Sequence, residues 1–317
     1  MPNWNDILKE ILEFQAGKPP QEAATAVDVV RRKYLDLLYK HTKRNVIAYY
    51  SGFLSKPGIT GLDINDEDKN GFMMAVHRLD KSKGLDLILH TPGGNIAATQ
   101  SIVNYLHKMF GNNIRAVIPQ IAMSAGTMLA CSCRKILMGT HSNLGPIDPH
   151  LRDIPAYGVK EEFRRAFREV KDDPSKALVW QYIIGQYRPT FLGQCENAIT
   201  WSNAFVREQL ATVMFENQAD ATDKARRIVR KLVSFGGSTP HERHLHYEDC
   251  LDMGLDVERI ETDDTLQDLI LTVHHCYMHS LANTSSYKMI ENHLGTAYVK
   301  HMQPIQPPML IQQQRPK

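Results

Sequence analysis

Residues 85–95 read Leu-Asp-Leu-Ile-Leu-His-Thr-Pro-Gly-Gly-Asn, an apolar segment that runs directly into a turn with two adjacent glycines. The apolar part is typical of a buried β-strand, and a helical pattern follows it at about residues 97–109. Gly93 and Gly94 allow positive φ angles and let backbone N–H groups approach a ligand at the carboxyl end of the strand. On its own, this turn predicts a tight connection as readily as an anion-binding loop.

The same order of strand and helix repeats on both sides of this segment. Strands are predicted at residues 46–50, 85–89, 114–118 and 135–138, with helices near 66–79, 97–109 and from about residue 124. Alternation with short connections is typical of βαβ units and a parallel sheet. The sequence therefore predicts an α/β fold with a mostly parallel sheet.

Three regions are predicted along the chain. Two amphipathic helical patterns, at residues 5–16 and about 21–43, form an N-terminal helical extension over residues 1–44. The main domain is expected over residues 45–300, and beyond Asp148 its pattern is helical, without a strand signal of similar strength. Residues 301–317 are rich in proline and glutamine and are expected to form a tail without a core of its own.

Composition excludes several classes of function. The formal net charge is +2, and lysine and arginine are dispersed, so no nucleic-acid partner is expected. The apolar runs are much shorter than the roughly 20 residues of a membrane-spanning helix, so no membrane span is expected. The first residues lack the pattern of a secretory signal, which predicts a cytoplasmic location.

A serine in residues 122–127, Ala-Met-Ser-Ala-Gly-Thr, is the candidate nucleophile. Ser124 follows a predicted strand and begins a predicted helix, where its hydroxyl can lie beside backbone N–H groups. The alternative is that Ser124 only caps the helix. A third segment rich in turn residues, 142–149, follows the next strand, so the three segments are expected to meet at the carboxyl edge of the sheet.

Together, residues 85–94, 122–127 and 145–149 resemble the serine dehydrogenase proteinase family. This family is related to signal peptide peptidase A and to the Clp peptidases within the Clp-protease/crotonase superfamily, and the resemblance extends from about Asn45 to Gly295. It implies a ββα superhelix, Ser124 as nucleophile, and an oxyanion hole from Gly93 or Gly94 with Ala125. It also implies a homo-oligomer that cleaves unfolded or membrane-derived polypeptides and needs no cofactor or metal.

The general base is not fixed by the resemblance, since the superfamily uses either a histidine with an aspartate or a lone lysine. The segment that carries the histidine of the Clp peptidases has none at the matching place here, although His150 lies just beyond it. Relatives of signal peptide peptidase A use a lysine some fifty residues after the serine, and Lys176 stands 52 residues after Ser124. A lysine buried beside the serine can act as a neutral base, so Lys176 is preferred, with Lys160 and His150 as alternatives.

Two other functions are compatible with this fold. Crotonase relatives use a similar pair of backbone donors on an acyl-coenzyme A thioester, but they need no nucleophilic serine. A non-catalytic oligomeric scaffold is the second alternative, because the expected histidine is missing. The sequence favours a serine peptidase.

Overall fold

A seven-stranded β-sheet organises the computed structural model, which describes residues 4–151, 154–237 and 244–302. The strands in chain order are β1 (Asn45–Ser51), β2 (Leu85–His90), β3 (Ile114–Ile118), β4 (Ile121–Ala122), β5 (Lys135–Met138), β6 (Asn143–Leu144), β7 (His150–Leu151), β8 (Ile154–Pro155), β9 (Val257–Arg259), β10 (Ser286–Asn292) and β11 (Ala297–His301). The main sheet has the order β11-β10-β1-β2-β3-β5-β9, while β4 pairs with β6 and β7 pairs with β8 in two small sheets.

Helices cover both faces of the main sheet. In chain order they are α1 (Trp4–Gln15), α2 (Pro20–Ala23), α3 (Ala26–Thr42), α4 (Asp68–Val76), α5 (Ile96–Phe110), α6 (Ala125–Cys131), α7 (Ala156–Asp172), α8 (Ala177–Ile184), α9 (Phe191–Gln209), α10 (Ala221–Gly237), α11 (Tyr247–Met253) and α12 (Asp264–Asn283). Short 3₁₀ turns occupy 81–83, 174–176 and 260–262, and a π-helical turn at 210–214 continues α9.

The central part of the sheet is parallel. Strand β1 pairs with β2, β2 with β3, β3 with β5 and β5 with β9, all in parallel register. Helices α4, α5 and α6 connect consecutive parallel strands, as expected for βαβ units. The predicted α/β fold with a mostly parallel sheet is therefore confirmed.

The region beyond Asp148 contains strands as well as the predicted helices. Strand β9 extends the parallel edge, while β10 lies antiparallel to β1 and carries β11 on its outer side. The pattern of β10 is hidden because Lys288 and Glu291 are fully buried in ion pairs, so the strand lacks a simple apolar alternation. The expectation of a purely helical pattern in this region is wrong.

The two faces of the sheet have separate apolar cores. Helices α4, α5, α6, α9, α10 and α11 contribute to the core on one face, and α3 with α12 cover the other. Helix α1 packs Ile7 and Ile11 against α3 and against Cys276 of α12. The two longer N-terminal helices therefore lie on the sheet side that is opposite to α5 and α6.

Within the described residues, no helix combines the length and the hydropathy that a membrane crossing requires. Residues 303–317 of the predicted tail lie outside the described residues. At the carboxyl edge, β2, β3 and β5 end at His90, Ile118 and Met138. The glycine turn, the Ser124 segment and the segment 142–149 all follow these ends.

Candidate active site

Ser124 has an unusual backbone conformation between β4 and α6. Its φ is 51° and its ψ is −114°, on the left-handed side of the map that residues other than glycine rarely occupy. Such a conformation costs of order 1–3 kcal/mol and persists mainly at functional sites. The Ser124 side chain accepts no hydrogen bond from the α6 amides in the described chain, so the helix-cap alternative is not observed. A strained serine between strand and helix is how α/β-hydrolases expose a nucleophile.

The glycine turn lies directly against Ser124. Gly93 and Gly94 have φ angles of 101° and 155°. A Cβ atom on Gly93 would stand 2.7 Å from the Met123 carbonyl oxygen and 2.8 Å from the Ser124 Cβ. Only glycine leaves space for the serine at this position.

The backbone amides around Ser124 differ in whether their N–H groups are already used in hydrogen bonds. The Gly93 N–H donates to Thr91 Oγ1 at 3.2 Å, which uses that donor inside the turn. The amides of Gly94 and Ala125 donate to no other group in the ranges that the structure describes. Of the glycines predicted for an oxyanion hole, Gly94 is therefore the one whose N–H is available to a ligand.

Hydrogen bonds hold the three segments together. The Thr91 amide donates to the Ile121 carbonyl at 3.1 Å, and the Thr91 carbonyl accepts from the Met123 amide at 3.0 Å. Thr127 Oγ1 accepts from the Gly145 amide at 3.0 Å, which joins α6 to the segment 142–149. The relative positions of the glycine turn and the serine are thus fixed by backbone contacts.

A cleft of about 610 Å³ opens beside Ser124 and includes residues of all three segments. Gly93, Gly94, Ser124 and His150 are among its lining residues. Much of the wall is apolar, and its members come from α6, the segment 142–149, β7 and α9: Met128, Ile147, Leu151, Ala198 and Trp201. Apolar walls with a few convergent polar groups are typical of a ligand-binding site.

The three candidate bases occupy different environments. His150 lines the cleft, whereas neither lysine does. The Lys176 ammonium lies 3.5 Å from Glu169 Oε2, and its side chain is 48% exposed, so the burial expected for this lysine is not found. The Lys160 ammonium lies 3.5 Å from Glu196 Oε1. The structure brings His150, and neither of the lysines, into the cleft with Ser124.

Comparison with known families places the chain in one of them. Residues 18–280 match the model of the ClpP-like SDH-type serine proteinases, which is more than half of the chain. The chain belongs to this family. The match confirms the resemblance that the three sequence segments indicated.

Two uncharacterized proteins of Methanocaldococcus jannaschii are similar to this chain. One is 29% identical over 195 residues, which is 62% of this chain and 60% of the relative. The other is 28% identical over 194 residues, which is 61% of this chain and 59% of the relative. The matched region thus spans about three fifths of the length of each of these relatives.

Asp148 is a polar residue near the cleft that the sequence indicated only as part of a turn. Its side chain is buried, and Oδ1 accepts a hydrogen bond from the Tyr157 amide at 3.3 Å. Burial raises the pKa of Asp148 to about 6. A buried carboxyl group with a raised pKa, two residues before His150, is typical of a functional site. A single Asp between apolar and proline residues gives no sequence signal of this environment.

The cleft also contains residues that sequence reasoning missed. Asp63 comes from the loop before α4, and Trp201 and Ser202 come from α9. The Trp201 indole N–H donates to Gln100 Oε1 at 3.0 Å, which joins α9 to α5. These residues reach the cleft only through tertiary packing, so no local pattern identifies them.

His90 is a buried residue at the end of β2, directly before the glycine turn. Its Nδ1 lies 3.1 Å from the Ser51 carbonyl oxygen and its Nε2 lies 3.1 Å from Gln120 Oε1. Its ring stacks on Tyr50, and His274 packs at 5.5 Å between ring centroids. Burial lowers the pKa of His90 from 6.5 to about 4 and lowers the pKa of His274 as well. Both imidazoles are neutral in the folded protein near neutral pH.

We expect His90 to make the fold sensitive to acid. His90 binds a proton near pH 6.5 in the unfolded chain but only near pH 4 in the folded protein. The stabilisation of the folded state by neutral His90 is therefore complete above pH 6.5 and is lost as the pH falls to about 4. Across this pH range, the free energy of unfolding is expected to fall by about 3 kcal/mol because of His90. Asp148 acts in the opposite direction, because its raised pKa favours the folded state as the pH falls from about 6 towards 3.8.

A comparison of the wild type with His90→Asn isolates the histidine from Asp148. Denaturant unfolding at about pH 7.5 and about pH 5 should show the stability difference between the two proteins narrowing by about 2 kcal/mol at the lower pH. A stability difference between the wild type and His90→Asn that is the same at both pH values would contradict the lowered pKa of His90.

Proposed function

We propose that this protein is a serine peptidase in which Ser124 is the nucleophile and the amides of Gly94 and Ala125 form the oxyanion hole. The observation that carries the proposal is the strained Ser124 backbone packed against Gly93, with those two amides adjacent. Membership in a serine proteinase family supports the reaction class. No capping hydrogen bond of Ser124 accounts for this strain, and a strained turn of this kind is how α/β-hydrolases expose a nucleophile.

In the proposed reaction, Ser124 Oγ forms a bond to the substrate carbonyl carbon and gives its proton to a base. The carbonyl oxygen becomes an oxyanion that accepts hydrogen bonds from the Gly94 and Ala125 amides. The C–N bond then breaks, the leaving amine takes the proton from the base, and water hydrolyses the acyl-enzyme. Each oxyanion donor typically contributes a factor of about a hundred or more to the rate.

We propose His150 as the base. The support is that His150 shares the cleft with Ser124, and that a neutral imidazole can accept a proton at neutral pH. Lys176 remains the second candidate, but it would have to leave Glu169 and enter the cleft to act. Catalytic hydrogen bonds often tighten only when substrate binds, so a histidine on the short strand β7 is compatible with this role.

The proposed substrate is a polypeptide bound in extended form along the cleft. The apolar wall favours a substrate side chain without charge next to the scissile bond. We also propose that several copies assemble, because four large apolar side chains on the adjacent helices α7 and α8 are strongly exposed. These are Phe167 (73%), Leu178 (78%), Val179 (62%) and Tyr182 (75%). Exposed apolar patches commonly mark interfaces.

A fluorophosphonate probe tests the proposed function directly. We expect the purified wild-type protein to acquire one covalent adduct per chain, and peptide mapping by mass spectrometry should locate it on Ser124. The reason is that only an activated serine next to an oxyanion hole reacts quickly with such a probe. Heat-unfolded protein serves as the control and should remain unlabelled. Absence of the Ser124 adduct would instead favour an acyl-coenzyme A enzyme or a non-catalytic scaffold.

A further inference from the structure

The direction of the Gly94 amide is set by a residue outside the glycine turn. The Ile64 amide donates to the Gly93 carbonyl at 2.7 Å, and the Ile64 carbonyl accepts from the Asn95 amide at 2.8 Å. The Gly93 carbonyl and the Gly94 N–H belong to one trans peptide unit, so they point in opposite directions. By holding the Gly93 carbonyl, Ile64 makes the Gly94 N–H point away from itself.

Ile64 is in turn held on both sides by a buried ion pair. The Lys288 ammonium donates to the Asp63 carbonyl at 2.6 Å and to both carboxylate oxygens of Asp68, at 2.9 and 3.0 Å. Asp68 Oδ2 also accepts from the Asn65 amide at 3.0 Å. The ion pair therefore fixes the residue before Ile64 through its carbonyl and the residue after it through its amide.

Stability alone is a weak explanation for this ion pair. Both side chains are fully buried, and Tyr49 adds a hydroxyl that donates to Asp68 at 2.9 Å. A buried ion pair is often no more stabilising than apolar side chains of similar volume. Apolar side chains, however, cannot hold a carbonyl and an amide of the same loop in fixed directions. The contacts of Lys288 and Asp68 provide that function.

We propose that Lys288 and Asp68 are positioning residues for catalysis, which hold the loop 63–65 so that the Gly94 amide points at the oxyanion. This inference rests on the proposed function of Gly94. Lys288 lies on β10 and Asp68 on α4, and neither element contributes a group to the reaction itself. Through the loop 63–65, both would nevertheless affect how well the transition state is bound. The ion pair acts through Ile64 and touches no reacting atom.

The test is the double variant Asp68→Leu/Lys288→Met, which removes both charges together so that neither is left buried without a partner. We expect kcat for a peptide substrate to fall about 10- to 100-fold with KM little changed, because a misdirected oxyanion donor weakens binding of the transition state only. The affinity for a peptide boronate, whose adduct with Ser124 is tetrahedral, should fall by the same factor as kcat/KM. The affinity for the product peptide should fall by a much smaller factor, since of this loop only Asp63 lines the cleft.

A matched control removes another buried carboxylate. Asp86 lies at the amino end of β2, opposite the glycine turn, and is paired with Arg44 and Arg115. Asp86→Asn should lower the stability while leaving kcat and the boronate affinity unchanged. Asp68→Asn keeps the side-chain volume and serves as a second variant if the double variant is unfolded by circular dichroism. Asp68→Asn should lower kcat and the boronate affinity, by a smaller factor than the double variant.

The outcomes separate the two proposals. Folded Asp68 and Lys288 variants with unchanged kcat and unchanged boronate affinity would overturn the positioning role and leave the peptidase assignment intact. A wild-type protein that gains no adduct on Ser124 would instead overturn the proposed function itself.

Discussion

Replacing Ser124 with alanine is expected to lower kcat/KM for a peptide substrate by about a millionfold, the typical effect of removing a serine nucleophile. The remaining rate should come only from substrate binding and the oxyanion donors. Peptide hydrolysis measured by mass spectrometry checks the loss, and Ser82→Ala is the control. Ser82 lies at a 3₁₀ turn before β2, where its hydroxyl donates to Asp80. Retained hydrolysis in Ser124→Ala would place the nucleophile elsewhere.

A second substitution at Ser124 tests whether its backbone is strained, by its effect on the stability of the folded state. Ser124→Gly should also abolish hydrolysis, yet the folded state should be about 1 kcal/mol more stable than in Ser124→Ala. Glycine adopts φ 51° without the strain that a Cβ imposes, and this outweighs its larger loss of backbone entropy. Denaturant unfolding of the two inactive variants measures the difference. Equal stability would show that the turn stores no strain.

The second large effect concerns the base. We expect His150→Ala to lower kcat/KM by about a hundredfold or more, because a positioned general base typically contributes a factor of about 10²–10⁴. Added imidazole should restore part of the rate, since it can occupy the space left by the side chain. Fluorophosphonate labelling of Ser124 should slow by a similar factor, as the probe needs the same proton transfer.

Lys176→Ala and Lys160→Ala are the matched controls for this experiment. Both lysines lie outside the cleft in ion pairs with Glu169 and Glu196, and exposed ion pairs contribute little to stability. We therefore expect both variants to keep kcat/KM within about twofold of the wild type. Loss of activity in Lys176→Ala together with full activity in His150→Ala would identify the lysine as the base and reject the histidine.

The sequence is sufficient to predict four of the five parallel strands, β1, β2, β3 and β5, and the place of Ser124 between a strand and a helix. Strands β1, β2, β3 and β5 are nearly continuous apolar runs, and a helix lies between each of them and the next in sequence, so their pattern needs no tertiary information. Gly93 and Gly94 indicated the turn because a glycine pair at a strand end permits few other interpretations. These features are local, and local features are what a single sequence encodes most directly.

Strand β10 and the choice of base could not be predicted, because they depend on contacts between distant segments. Strand β10 carries buried Lys288 and Glu291, whose partners Asp68 and Arg31 lie far away in sequence. The preference for Lys176 relied on spacing alone, and its side chain lies against Glu169 of α7, outside the cleft. Spacing along the chain cannot determine the direction of a side chain that follows a long helix.

The pairing of β1 with β10 also constrains how the chain folds. Arg31 of α3 binds Glu291 of β10 across 260 positions, and Ile47 of β1 lies opposite Asn292. Contacts of such sequence separation form slowly, because a long loop must close before they are made. During synthesis, β1 would therefore expose one unpaired edge until β10 leaves the ribosome, and an exposed edge invites pairing with other chains. The last strands thus protect the first one, and a chain shortened before residue 286 should aggregate.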